Sequence, residues 1–196
     1  MQEYPHKIFD ILLGSETRAR TLKFFFRHTG ETFRIGEVAR RILQNYNTTA
    51  SYIADLEKVG ILKKTSGSGT SSLYTVNTQF PNYTSLREFT LQVFPVSTTQ
   101  TAQDIKETGR IRLALLEGIF LNQGGSSIDL FLVADDVDEK KLKEFIAQLE
   151  AQVGKELNYT SMDTAEFTYR YNIYDRFVRN IIKKPNIKLV DNLSLG

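Results

Sequence analysis

The chain has 196 residues, 41% of them apolar and 24% charged, the balance of a folded globular protein with room for one large domain or two small ones. With no cysteine and only His6 and His28, a disulfide framework, a thiolate nucleophile, a zinc finger and an imidazole-rich metal site are excluded. The net charge of +2 hides an asymmetry: residues 1–80 carry 11 Lys and Arg against 7 Asp and Glu, too small an excess to establish nucleic-acid binding but enough to single out that half.

Residues 7–13 (KIFDILL) read as a short amphipathic helix stopped by Gly14. Ser15 then caps SETRARTLKFFFRH, a helix with Leu22, Phe25 and Phe26 toward a core and Arg18, Arg20 and Lys23 in water. Thr29-Gly30 breaks it, residues 32–35 (TFRI) are a short extended piece, and Val38, Ala39 and Ile42 form the apolar face of a third, short helix. The next helix organises the rest. Asn45 is its expected N-cap, accepting from the amides of Asn47 or Thr48, and Gly60 is its stop. Thr49, Ile53, Leu56 and Val59 fall on one buried stripe, while Asn47, Thr48, Ser51, Asp55 and Lys58 crowd the opposite face with Tyr52 on the flank. ILKKT (61–65) and SLYTV (72–76) alternate like half-buried strands around SGSGTS, where Gly67 and Gly69 mark a flexible hairpin tip. Residues 83–94 read as a connecting helix and 95–103, rich in Ser and Thr, as a linker.

FRIGEVARRI, TTASYIADLEKVGILKK and LYTVN, in the order helix, helix, strand, helix, helix, hairpin, resemble the winged helix-turn-helix transcriptional regulators of the MarR and ArsR type. The likeness covers about residues 7–77 and departs at Leu43, where the turn usually has Gly; a longer turn or a Leu43 that plugs the core would accommodate it. The resemblance implies a double-stranded DNA partner. Asn45, Asn47, Thr48 and Ser51 are then the candidates for base edges and nearby phosphates. Tyr52 divides evenly between packing on the wing and touching the DNA backbone. Arg34, Arg40, Arg41, Lys63 and Lys64 are the candidate phosphate contacts, as are Ser66, Ser68 and Thr70 at an uncharged wing tip suited to hydroxyl and backbone contacts.

The second half has another rhythm. IRLALLEGIFL (111–121) is a buried strand or a helix, residues 123–126 hold a Gly-Gly hairpin turn, IDLFLV (128–133) is a strand, and Asp138 caps an amphipathic helix. ELNYTS (156–161) is another strand, followed by helices around 166–174 and 177–183 and a last strand in 186–190. Tyr169, Tyr171, Tyr174 and Phe177 read as core or interface aromatics.

The stretch from SSIDLFLVADDVDEKK to NYTSMDTAEF is similar to the core of the minimal nucleotidyltransferases of the DNA polymerase beta-like superfamily. That resemblance implies a Gly-Ser phosphate loop and two aspartates holding Mg²⁺ ions. Here Ser127 stands at the first aspartate position, Asp129 is left alone and the loop is cut back to NQGG, while Asp135, Asp136 and Asp138 read as N-cap and helix-dipole residues. The expectation is an α+β chain: a winged helix-turn-helix domain over 1–80, a connecting helix and linker over 81–103, and a non-catalytic nucleotidyltransferase-like α/β domain over 104–196 for dimerisation or sensing. The expected function is DNA-binding transcriptional regulation, without enzyme activity, cofactor or metal. If the chain dimerises, the site on DNA is a palindrome. The alternative is an active nucleotidyltransferase or toxin-antitoxin component modifying a protein or RNA. No apolar run approaches a membrane span and MQEYPHK lacks a signal pattern, so a cytoplasmic location without a membrane partner is expected.

Overall fold

The computed structural model describes residues 13–92, 96–121 and 127–193. The expected helix over 7–13, but for Leu13, and the Gly-Gly turn at 123–126 lie outside them. The chain is α+β and divides into two compact units, residues 1–96 with 148–156, and residues 97–147 with 157–196.

In the first unit, α1 (Glu16–Arg27) is followed by β1 (Phe33–Arg34), α2 (Ile35–Arg41), α3 (Tyr46–Lys58), the hairpin of β2 (Leu62–Ser66) and β3 (Leu73–Val76), and α4 (Tyr83–Gln92). The small sheet runs β1-β3-β2, antiparallel throughout. Ser15 caps α1 by accepting from the amide of Arg18. Three successive phenylalanines, Phe24, Phe25 and Phe26, are all buried. At 100° per residue they span about 200°, more than half a turn, so α1 is enclosed on most sides, in contact with α2, α3, α4 and β3. Phe24 therefore joins the two phenylalanines expected in the core, meeting Phe33 edge-on at 4.8 Å between ring centres. Arg20, expected in water, is only 7% exposed: it pairs with Glu16 and donates from Nη1 to the Ile42 carbonyl at 2.9 Å. Val59, expected on the buried stripe of α3, is exposed because the helix ends there and the chain turns at Gly60 (φ 83°). Thr49, Ile53 and Leu56 keep the stripe.

In the second unit, α5 (Thr98–Lys106) precedes β4 (Arg110–Leu116), a 3₁₀ turn at Gly118–Phe120, β5 (Leu130–Asp135), α6 (Glu139–Val153, its last turns counted with the first unit), β6 (Tyr159–Met162), α7 (Thr164–Asn172), α8 (Arg176–Lys183) and β7 (Ile187–Asp191). The sheet order is β6-β5-β4-β7, with β5 and β6 parallel and the other pairs antiparallel. The ambiguous run 111–121 is thus strand, then 3₁₀ turn. Much of the expected linker is α5: Ser97 caps it and Thr101 and Ile105, one turn apart, are buried. Leu113, Leu115, Phe131 and Val133 turn to one face and cluster with Phe167, Val178 and Ile181 of α7 and α8. The intervening Ala114, Leu116, Leu130 and Leu132 are buried too, so the central strands are covered on both faces.

Candidate nucleic-acid interface

The start of α3 is fixed by its own side chains. Asn45 Oδ1 accepts from the amides of Asn47 at 2.8 Å and Thr48 at 3.4 Å, the cap expected from the sequence. The hydroxyls of Thr48 and buried Thr49 both donate to the Asn45 carbonyl, at 3.0 and 2.9 Å. This leaves Asn47, Thr48 and Ser51 exposed on the outer face of the first two turns, with Asp55 and Lys58 beyond them. An acidic side chain at Asp55 disfavours close approach of phosphate to the later turns, so the polyanion-compatible part of the helix is its beginning.

The turn that aims α3 is built around Leu43, at φ 53° and 43% exposed. Its amide donates to Arg40 and that of Gln44 to Ala39, the paired bonds of a Schellman helix end with leucine in the position glycine usually fills. The turn is neither lengthened nor plugged into the core. Instead α1 holds it from behind, through Arg20 on the Ile42 carbonyl and Thr17, whose hydroxyl donates to Gln44 at 2.6 Å.

The flanking cations are not equivalent. Arg34, Arg40, Lys63 and Lys64 are exposed. Arg41 is turned inward, paired with Glu37 at 3.1 Å and Glu156 at 3.7 Å and lying 5.5 Å from the centre of the Phe33 ring. Lys63 sits opposite Thr75 and Lys64 opposite buried Tyr74, so the two lysines project to opposite faces of the hairpin. Arg34 is opposite Leu73 and shares the face of Lys63. Ser66, Ser68 and Thr70 are exposed, and the tip is closed by a short 3₁₀ turn in which the Ser71 hydroxyl donates to the Ser68 carbonyl at 2.8 Å. Gly67 is required there: its φ is 83° and an added Cβ would collide with the Ser71 carbonyl. Tyr52 packs half-buried against the core of the unit, with the Arg18 guanidinium 5.3 Å from its ring centre. Burial raises its phenol above the ordinary range against the opposing pull of Arg18, with a push from Asp55. Sequence reasoning missed Tyr46, which is 40% exposed at the first position of α3. It is in helical phase with Ile53, and the signal for its exposure was its place ahead of the stripe, at the helix end.

In the second unit Asp129 is 9% exposed and used up by the backbone. Its Oδ1 accepts from the amide of Ile119 at 2.9 Å and its Oδ2 from that of Asn158 at 3.0 Å. One carboxylate thereby joins the 3₁₀ turn, the start of β5 and the approach to β6. Gly118 lies so close that an added Cβ would strike Oδ1. Parallel pairing sets Leu130 beside Tyr159, so Asn158 is the residue level with Asp129 on the neighbouring strand and brings no second carboxylate. Among the described residues no group of three or more metal-ligating side chains occurs. Of the acids read as helix caps, only Asp138 acts so on α6, accepting from the amides of Lys140 and Lys141. Asp135 reaches the start of α7, accepting from the Thr164 amide at 3.0 Å and hydroxyl at 2.8 Å, and Asp136 (φ 52°) pairs with Arg110 at 3.1 Å. The bonds from the Thr164 backbone and then its hydroxyl hold the Asp135 carboxyl below its ordinary range against partial burial, helped by Arg110 and Arg112. An open cleft of about 910 Å³ lies at this end of β5, lined by Arg110, Asp135, Asp136, Thr164 and Tyr169, at the opposite end of the strand from Asp129.

No family model, curated protein or solved structure matches the chain. No helix among the described residues is long and apolar enough to cross a membrane.

Proposed function

We propose that the chain is a DNA-binding transcriptional regulator whose first unit works as a winged helix-turn-helix. The observation that carries this reading is the start of α3: a short polar row, Asn47, Thr48 and Ser51, exposed on a self-capped helix and flanked by Arg34, Arg40, Lys63 and Lys64, with the β2–β3 hairpin following directly. Short amides and hydroxyls on a helix that fits a major groove read base edges, while surrounding cations supply salt-dependent affinity for phosphate. The order α1, β1, α2, α3, β2, β3 supports the same reading. Arg41, held by Glu37 and Glu156, serves the fold more than the phosphates.

The second unit fits a nucleotidyltransferase-like frame put to a non-catalytic use, dimerisation or sensing. The mixed β4, β5 and β6 arrangement favours the frame, and the commitment of Asp129 to two backbone amides argues against a metal-holding role.

Fragmented genomic DNA captured by the full-length protein across a salt series tests the reading. A recurrent sequence motif that survives raised salt is expected, lost on Asn47→Ala with Ser51→Ala at about 1–3 kcal/mol per base contact removed. Uniform, salt-erased binding, or a double variant that keeps the wild-type motif at full strength, overturns it.

A further inference from the structure

In the second unit a column of stacked groups runs from the core to the surface. Phe131 and Phe167 meet at 6.3 Å between ring centres, Phe167 stacks on Tyr171 at 5.9 Å and 20°, and the Arg179 guanidinium lies 4.5 Å from Tyr171 and 4.3 Å from Tyr174. The column ends at Tyr174, which is 73% exposed. Its backbone is unusual for a bulky residue. Tyr174 has φ 60°, its amide donates to Tyr171 and that of Asp175 to Arg170, so it occupies the Schellman position of α7 that glycine fills at least strain. Apart from the Arg179 guanidinium the ring is solvated, and a bulky residue kept at a strained, exposed position directs attention to function.

The segment that carries Tyr174 is basic. Residues 164–191 hold six Lys and Arg against three acids. Arg170 and Lys188 are matched by Glu166 and Asp191, whereas no ion pair among the described residues takes Arg176, Lys183 or Lys184, all exposed. Arg179 is held by rings, and its buried Nε has no hydrogen-bond acceptor. Tyr169 and Ile173 are exposed as well, 66% and 55%, with Tyr169 on the cleft beside Asp135 and Asp136.

We infer that the α7–α8 face binds single-stranded nucleic acid, a base stacking on Tyr174 as the next member of the column while Arg176, Lys183 and Lys184 meet the phosphates. Aromatic rings interleaved with uncompensated cations are what such strands need, because every base has a π-face and every linkage a charge. A protein partner for the apolar surface would have to supply acids of its own to match the cations. This inference is independent of duplex reading by α3.

The test is fluorescence anisotropy of the full chain with labelled twelve-residue oligodeoxythymidylate and oligouridylate at 50 and 150 mM salt. Both strands are expected to bind, more weakly at the higher salt; preference for one identifies DNA or RNA as the source. Tyr174→Gly should lower affinity between about fivefold and a hundredfold without lowering Tm, and Tyr174→Phe should retain it. Arg176→Gln with Lys183→Gln and Lys184→Gln should flatten the logarithmic salt slope by about 2. Asn47→Ala with Ser51→Ala should leave single-strand binding intact, which separates this site from α3. Failure of both oligomers to bind at tens of micromolar protein, or wild-type affinity in Tyr174→Gly, overturns the inference.

Discussion

Asp129 offers the sharpest test of how the second unit is built. In the proposed nucleotidyltransferase-like frame it would take a metal-holding position, yet its two oxygens accept from the backbone amides of Ile119 and Asn158 in a site that is 9% exposed. Asp129→Ala strands two donors away from water. At about 1–3 kcal/mol for each buried group left unsatisfied, and with some relief from local relaxation, the expected loss is about 2–5 kcal/mol. That is a large share of the roughly 5–15 kcal/mol that holds a typical domain together. Asp129→Asn keeps one acceptor but turns an NH₂ toward the second amide, for an expected loss of about 2–3 kcal/mol. Urea denaturation followed by circular dichroism measures the change, and hydrogen exchange at the Ile119 and Asn158 amides locates it. A carboxylate kept for chemistry behaves oppositely, since its removal commonly leaves stability unchanged or raised. A loss below about 1 kcal/mol with both amides still protected would refute the structural role argued here.

Two further outcomes are expected. Arg20→Met keeps the apolar stem on α1 but removes the bond to the Ile42 carbonyl; stability should fall by about 1–3 kcal/mol, and duplex affinity should fall more than the unfolded fraction explains, read by comparing urea melts with anisotropy on a captured fragment. Asp135 is held below its ordinary range chiefly by the Thr164 amide, so its contribution to stability is complete above the unfolded aspartate pKa and is lost as pH falls through the lower folded value; Asp135→Asn should make acid unfolding less steep in that window, seen in melts from pH 6 to pH 2.

What the sequence made legible was local. The Asn45 cap, the stripe of Thr49, Ile53 and Leu56, the Asp138 cap and the paired strands around residues 66–71 depend on neighbours within a few positions, where periodicity and capping chemistry operate. What it hid was set by partners far along the chain. Arg20 looked solvated because the carbonyl it serves is 22 positions away, and Asp129 looked like half a metal site because its donors come from a turn and a strand approach that only the fold brings together. Helix α5 was masked by composition: Ser and Thr read as linker until Thr101 and Ile105 are seen buried on one side. The candidate site followed the same division. The row on α3 was visible in the spacing, whereas the inward turn of Arg41 and the opposed faces of Lys63 and Lys64 needed the sheet register.

The order β1-β3-β2 also makes β2 an outer strand, with one row of amides and carbonyls facing no neighbour in its sheet. Lys63 and Lys64 sit in the middle of that strand, one on each face, where a second molecule would have to add its own strand to continue the ladder. Charge at such a rim disfavours the zipping together of identical chains, a consequence of these lysines separate from the proposed DNA contact. Alanine at both positions would leave LAATS as an uncharged border, and apparent loss of binding could then report clumped protein. Glutamate at the same positions would remove the proposed phosphate contact while keeping the border charged.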